Sequence, residues 1–352
     1  MPRLKSVLIF CLLLLPRFAG AEPCWGTILA RNNPAPAKEA TLLILPFENT
    51  KNFPSDRWLA AGLPLLLRDY LSLSKKMSVI PPATDWWEDT FNSDQGLTVA
   101  RRLGATHLLI GRVFRPKAPD PLQIETIFIE VSSGKELKRI NATIEIPGIQ
   151  QINDLLTGIV EEMSKAEKRV GLDAKKIRPF LNTSGNMATL PLYIAGSLLL
   201  LEGDRSSTTK AIAKFEEAIR QDYNYVPGYL GLAEALVSEA LFQGISGAGN
   251  QRVSYSRARQ ELEKARTLNP FVTQLKAPLI EKYLVAYVLE ESSNSLLAAG
   301  KNAEASSELQ KLVTILPGHL IAHRHLVNLL PQAASTTAQE EHAISELSSC
   351  HP

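Results

Sequence analysis

Three histidines form the nearest thing to a metal-binding pattern in the chain. His319 and His323 stand four apart after Pro317, with His325 two residues on. Two imidazoles at i and i+4 share a helix face and can share a metal. No acidic residue sits between them and no third ligand is near, so a solvated helix face is the expected reading and no metal is assigned. Trp86 and Trp87, followed by Glu88 and Asp89, could stack against a sugar or a partner, or could cap the edge of a core. Gly244 to Gly249 (GISGAG) is glycine-rich, but no strand pattern precedes it, so it reads as a loop rather than a phosphate cradle. Serine elbows, P-loops and dinucleotide fingerprints are absent from the sequence. No catalytic, cofactor-binding or metal-binding residue is assigned, and the chain is expected not to be an enzyme. Asn-x-Thr/Ser patterns stand at Asn141 and Asn182, and no role is assigned to them.

The ends are more informative. Arg3 and Lys5 precede an unbroken apolar run, Val7 to Leu15, which Pro16 follows; Ala19-Gly20-Ala21 then offers a small-x-small cleavage pattern. This is the build of a secretory leader, residues 1–21, too short to cross a hydrocarbon core of about 30 Å. Cys24 follows Glu22-Pro23, a poor context for lipid attachment, which favours a soluble envelope protein. The leader holds Arg3, Lys5 and Arg17; of 38 basic residues 35 therefore remain against 36 acidic ones, a formal charge of −1. With no basic block, nucleic acid is excluded as a partner class. Beyond the leader no stretch approaches eighteen apolar residues, so no integral membrane segment is expected. Cys24 and Cys350 survive cleavage, and an oxidising compartment permits either a bridge or two free thiols.

The elements of the first half follow from pattern. Residues 22–40 are an extended linker containing RNNPAPAK. Thr41 to Phe47 reads as a strand buried on both faces, ended by Pro46. Trp58 to Leu73 reads as a helix, Met77 to Ile80 as a short strand, and Leu97 to Leu103 as a helix stopped by Gly104. Thr106 to Phe114 is a further strand, Leu122–Val131 and Glu136–Ile146 a hairpin about Ser133-Gly134, and Ile149 to Val170 an amphipathic helix. Leu45-Pro46-Phe47-Glu48-Asn49, Trp58 to Leu63 (WLAAGL), Ala100 to Val113 (ARRLGATHLLIGRV) and the VSSGKEL turn occur in an order and spacing that resemble the N-terminal domain of TolB-like, FlgO-like and CsgG-like envelope proteins. The resemblance covers roughly residues 40 to 165. It implies docking or assembly at the envelope without catalysis, and in some exported relatives oligomeric collars. Long alternating strands for membrane insertion are missing, which argues against a pore.

Residues 171–189 read as a second linker, after which the chain matches itself at a constant offset of 47. Ala211, Ala258 and Ala305 correspond, as do Phe215, Leu262 and Leu309, then Ala218, Ala265 and Leu312, then Tyr223, Pro270 and Pro317. Ala, a large apolar residue and then a small or apolar one at these spacings share one helical stripe, and proline then turns the chain. The pattern resembles the second helix of a tetratricopeptide repeat, whose usual period is 34 residues. The extra length is expected in a long turn at Phe242 to Asn250 and an extra helix near Thr273 to Tyr283. Helical pairs of this kind bury their stripes on one another and leave a concave face of first helices. Tyr193, Ser197, Leu230, Glu234 and Ser238 fall on it by register as partner contacts or packing residues, and Trp86 and Trp87 join them as candidates.

The expected class is therefore α+β with two domains: an N-terminal α/β sandwich with a mixed sheet over 41–170, then an all-α tetratricopeptide-like solenoid over 190–335 and a tail over 336–352. The expected role is a periplasmic adaptor or scaffold, with a position peripheral to the outer membrane as the variant, that captures an envelope protein or peptide segment through the repeats and docks through the α/β domain; the alternative is a structural subunit of a homo-oligomeric ring or collar, and an enzyme such as a carbohydrate-active one is the distant third. Intact-mass spectrometry of the exported, non-reduced protein should find Glu22 at the N-terminus. The same spectrum decides the thiols: alkylation at both Cys24 and Cys350 would rule out the bridge.

Overall fold

A computed structural model describes residues 38–50, 57–80, 91–117, 120–145, 148–172, 186–246, 250–274, 276–329 and 338–342. The first half runs β1 (Ala40–Ile44), β2 (Glu48–Asn49), α1 (Arg57–Leu71), β3 (Met77–Ile80), α2 (Ser93–Arg102), β4 (His107–Phe114), β5 (Leu122–Glu130), β6 (Glu136–Ile144) and α3 (Ile149–Ala166). The strands form one mixed sheet in the order β3-β1-β4-β5-β6, with β2 also paired to β4. β1 lies parallel to both β3 and β4, whereas β4, β5 and β6 are antiparallel. A central strand needs apolar residues on both faces, and Leu42, Leu43, Ile44 and Leu45 are all buried. Leu43 and Leu45 pack under α2 with Leu97, Ala100, Leu108, Ile110 and Ile129. Alternation turns Leu42 and Ile44 to the other face.

Two local features tie β1 to its neighbours. Pro64 lies inside α1 and has no N–H, so the carbonyl of Ala60 loses its helical donor. The backbone N–H of Phe47 donates to that carbonyl instead, at 3.2 Å. The Phe47 ring in turn lies against Gly111 of β4, where a β-carbon would come within 2.9 Å of the ring and 2.8 Å of the Glu125 carbonyl oxygen. The LPF and LIG segments are thus two halves of one contact.

Element boundaries differ from expectation for local reasons. α2 begins at Ser93, four residues early, because Asn92 and Gln95 form a reciprocal capping box. α3 stops at Ala166, where Glu167 is extended, and Lys168–Val170 is a separate 3-10 turn. β1 ends at Ile44, and Glu48–Asn49 pair separately with β4.

The second half is helical: α4 (Thr189–Glu202), α5 (Arg205–Gln221), α6 (Val226–Ser246), α7 (Gln251–Leu268), the single turn α8 (Pro270–Thr273), α9 (Ala277–Ala298), α10 (Asn302–Ile315) and α11 (Leu320–Leu329). Together the halves make an α+β protein. Asp204, Asn250 and Asn269 cap α5, α7 and α8 through their side chains. Three of the four positions matched at offset 47 are interior in each copy: Ala211, Ala258 and Ala305, then Phe215, Leu262 and Leu309, then Ala218, Ala265 and Leu312, none more than 1% exposed, whereas Tyr223 at the fourth is 69% exposed. Two expectations are corrected. Phe242 to Ser246 are helical, and no separate helix spans Thr273 to Tyr283, because the added length goes into α6 and α9.

The chain divides into two compact units, Ala35–Ile280 and one containing Glu281–Pro352. In the larger, α4 packs on α5, α5 on α6 and α6 on α7. No helix among the described residues is long and apolar enough to cross a membrane.

Phe215 of α5 is gripped by two glycines. A β-carbon at Gly196 of α4 or at Gly231 of α6 would lie 2.7 and 2.4 Å from its ring. Alanine in an unhindered helix interior gains about 1 kcal/mol over glycine; here overpacking of about 1–3 kcal/mol opposes it. Gly231→Ala should therefore lower the urea midpoint, and Gly231→Ala with Phe215→Leu should cost less than the sum of the single changes. A raised midpoint for Gly231→Ala alone would show that the ring has room to yield.

Candidate functional site

The most concentrated chemistry among the described residues lies where α1 meets the helical half. α1 places Gly62, Leu66 and Asp69 on one stripe by their i, i+4 and i+7 spacing. α4 answers with Leu190, Tyr193, Ile194 and Ser197, all buried. The two helices approach closely because Gly62 lacks a β-carbon, which would otherwise stand 2.2 Å from Ile194 Cδ1. Beside them lies a cleft lined by Tyr70, Ile152, Asn153, Tyr225, Leu230 and Lys276, with a cavity of about 50 Å³, room for a few waters.

Its polar floor is a network of charges. Asp69 Oδ1 accepts from Arg68 Nε and Nη2 at 3.1 and 2.7 Å, and Oδ2 accepts from the Tyr193 hydroxyl at 3.1 Å. Lys276 Nζ donates to Glu234 and sits 5.7 Å from the centroid of the Tyr193 ring. The same ring meets Phe215 and Tyr225 at 5.9 and 6.2 Å. The Arg68 and Asp69 side chains retain only 18% and 14% of their surface, and that of Lys276 10%.

Burial pushes the Asp69 carboxyl upward, but Arg68, then Lys276, and the hydrogen bonds from Arg68 and Tyr193 outweigh it and hold the group below its ordinary range. Burial, followed by neighbouring groups, drives the Tyr70, Tyr193 and Tyr225 phenols well above theirs. The floor is thus two cations, two carboxylates and neutral hydroxyls: a self-compensated set suited to holding surfaces in register.

The residues singled out by register lie here. Tyr193, Ser197 and Leu230 are interior, and the Ser197 hydroxyl has no hydrogen-bond partner among the described residues. Glu234 is held by Lys276, while Ser238 stays half-buried and donates to the Glu234 carbonyl at 3.1 Å. The stripe read as open to a partner segment is covered, along α4, by the chain's own α1. Arg68, Asp69 and Lys276 escaped sequence reasoning, since an Arg-Asp pair on a helix looks solvent-facing. Trp86, Trp87, Cys24, Cys350 and the leader lie outside the described residues.

The histidines are a correction. His323 is buried rather than solvated; its Nδ1 meets Glu340 and its Nε2 lies 2.9 Å from the Pro317 carbonyl. His319 Nδ1 accepts from the Ala322 amide at 3.2 Å, capping α11, and its Nε2 stands 3.6 Å from Glu290. Both rings are spent on closing a helix start. Among the described residues no group of three or more His, Cys, Asp or Glu could hold a metal ion.

A second buried group is His107 on β4. It stacks on Phe128 at 5.3 Å, meets Thr106 Oγ1 at 2.9 Å and lies 3.6 Å from Glu167. Burial, then Arg169, lowers its pKa against the pull of Glu167. Glu167 itself is held to about 2, chiefly by its hydrogen bond from the Arg169 side chain. The group clamps the end of α3 onto the sheet.

A buried pair that loses one member leaves an uncompensated charge. Asp69→Asn should cost about 2–3 kcal/mol of stability at pH 7, the full loss being reduced by the residual exposure of the pair. The double change Arg68→Met with Asp69→Leu should cost less than Asp69→Asn alone. Because the folded Asp69 pKa is lowered, its contribution is complete above the unfolded value of about 3.9 and disappears as pH falls through the folded one. Urea titrations at pH 7 and pH 3 check this: the gap between wild type and Asp69→Asn should narrow in acid.

No family model matches the sequence, and no curated protein matches it. Solved structures give partial likenesses. TolB from Acinetobacter baumannii is 14% identical over 38% of this chain, with a TM-score of 0.25, and the match spans only 29% of TolB. The LpoB C-terminal domain from Salmonella enterica is 12% identical, with 35% of this chain, 96% of that one and a TM-score of 0.25. Lipoprotein GNA1162 from Neisseria meningitidis is 16% identical, with 36%, 96% and 0.26.

Proposed function

We propose that this chain is an exported, non-enzymatic adaptor of the bacterial envelope, in which the α/β domain docks on one component and tetratricopeptide-type helices hold another. The observation that carries the reading is the helical array. An Ala, then a large apolar residue, then a small or apolar one recur at offset 47 and are interior in every copy, the construction by which stacked helix pairs bury one face and present the other. The leader pattern of residues 1–21 supports a periplasmic location after cleavage at Ala21.

One observation favours a second reading, a subunit of a homo-oligomeric ring or collar. β6 ends the sheet order and is nine residues long, with no proline or glycine to interrupt it. Glu136, Arg139, Asn141 and Thr143 are exposed along it. Such an edge can accept another strand.

Photo-crosslinking residues placed at Ser238 on α6 and at Asn141 on β6, in the native envelope, separate the two. The adaptor predicts a crosslink from Ser238 to a different envelope protein. Crosslinks confined to Asn141 and joining only copies of the chain would sink the adaptor and establish the assembly subunit.

A further inference from the structure

The charged seam has properties of its own, independent of which partner the chain holds. We propose that the seam latches the α/β domain to helices α4–α8, so that these two halves of the larger unit fold and open as one cooperative body. Asp69 and Tyr193 are 124 residues apart in sequence, and Lys276 and Glu234 are 42 apart. The network therefore joins elements that no local structure would bring together.

Its geometry runs from one core to the other without a break. Asp69 sits on α1, whose Ala60 carbonyl is bonded to Phe47 beside the sheet. Tyr193, bonded to Asp69, touches Phe215, which the glycines of α4 and α6 enclose. The apolar contacts of Leu66, Ile152, Leu190 and Leu230 supply the attraction. The ion pairs add little net attraction, because their desolvation offsets their Coulomb gain. What fixes the register is the bond across the seam: a shift by one residue would take Asp69 from the Tyr193 hydroxyl and away from Lys276, leaving its second oxygen buried without that donor. Gly62 acts in the same direction, since α4 can close on α1 only where a β-carbon is missing.

A cooperative body transmits a local weakness everywhere within it; independent domains do not. Pulse hydrogen exchange along a urea series, read by mass spectrometry on the full chain, tests this without any partner and so stands or falls apart from the adaptor reading. Peptides covering β1 and β4 report the α/β half, and peptides covering α5 and α6 report the helical half. In wild type the two sets should become exchangeable at one midpoint. Leu108→Ala, in the α/β core and away from the seam, should lower both midpoints together. Asp69→Lys, which sets a third cation beside Arg68 and Lys276, should part the two midpoints by roughly 1 M urea. If Leu108→Ala moves only the β1 and β4 peptides, or wild type already shows two midpoints, the latch does not exist. Should Asp69→Lys fail to fold, Gly62→Val provides a second wedge at the seam, and coincident midpoints in that variant would equally overturn the proposal.

Discussion

Helix α1 has to serve two interiors at once. Ala60, Leu63, Leu67 and Leu71 fill one side of it, and Gly62, Leu66 and Asp69 lie along the neighbouring stripe toward α4. A helix covered over so much of its circumference cannot use solvent to satisfy a broken backbone bond. Pro64 breaks one, and the chain answers by sending the Phe47 amide into the gap. That hydrogen bond fixes where the strand end meets the helix, and with it the Phe47 ring on Gly111, the sheet beneath, and the stripe that α4 must match.

The buried charges follow from the same arrangement. An apolar seam between two helices can slide, since leucines tolerate many partners. Asp69 cannot: its two oxygens face Arg68 on one side and the Tyr193 hydroxyl on the other. Tyr193 then carries the constraint to Phe215 and Lys276. His319 and His323 of the smaller unit show the same economy, their imidazoles engaged on helix α11 and its turn.

Much of the architecture was legible because it is periodic. The apolar run of β1 and the offset of 47 residues each state which face is buried, and those faces are buried; β5 buries residues on both of its faces, and on β6 only Ile144 is buried. Boundaries were less legible, since they depend on single side chains such as Asn92 capping α2 or the extended Glu167 ending α3. The seam was not legible at all. Its partners are separated by up to 124 residues, and nothing in the local pattern of Arg68-Asp69 distinguishes a buried pair from a solvated one. Tyr193 and Leu230 were found by register, but register alone does not say whether a stripe faces a guest or the chain's own α1.

The glycine at position 62 has a consequence for the history of such a protein. Recombination shuffles segments most successfully where few contacts cross the joint. The joint between α3 and α4 looks ideal in sequence, lying between a sheet domain and a repeat array. In three dimensions a crossover there would pair α1 with a foreign first helix, and only one bearing an accommodating side chain opposite Gly62 and a hydroxyl within reach of Asp69 would seat. The heritable module is accordingly larger than either recognisable domain, and its natural exchange points lie beyond the helices that α1 holds.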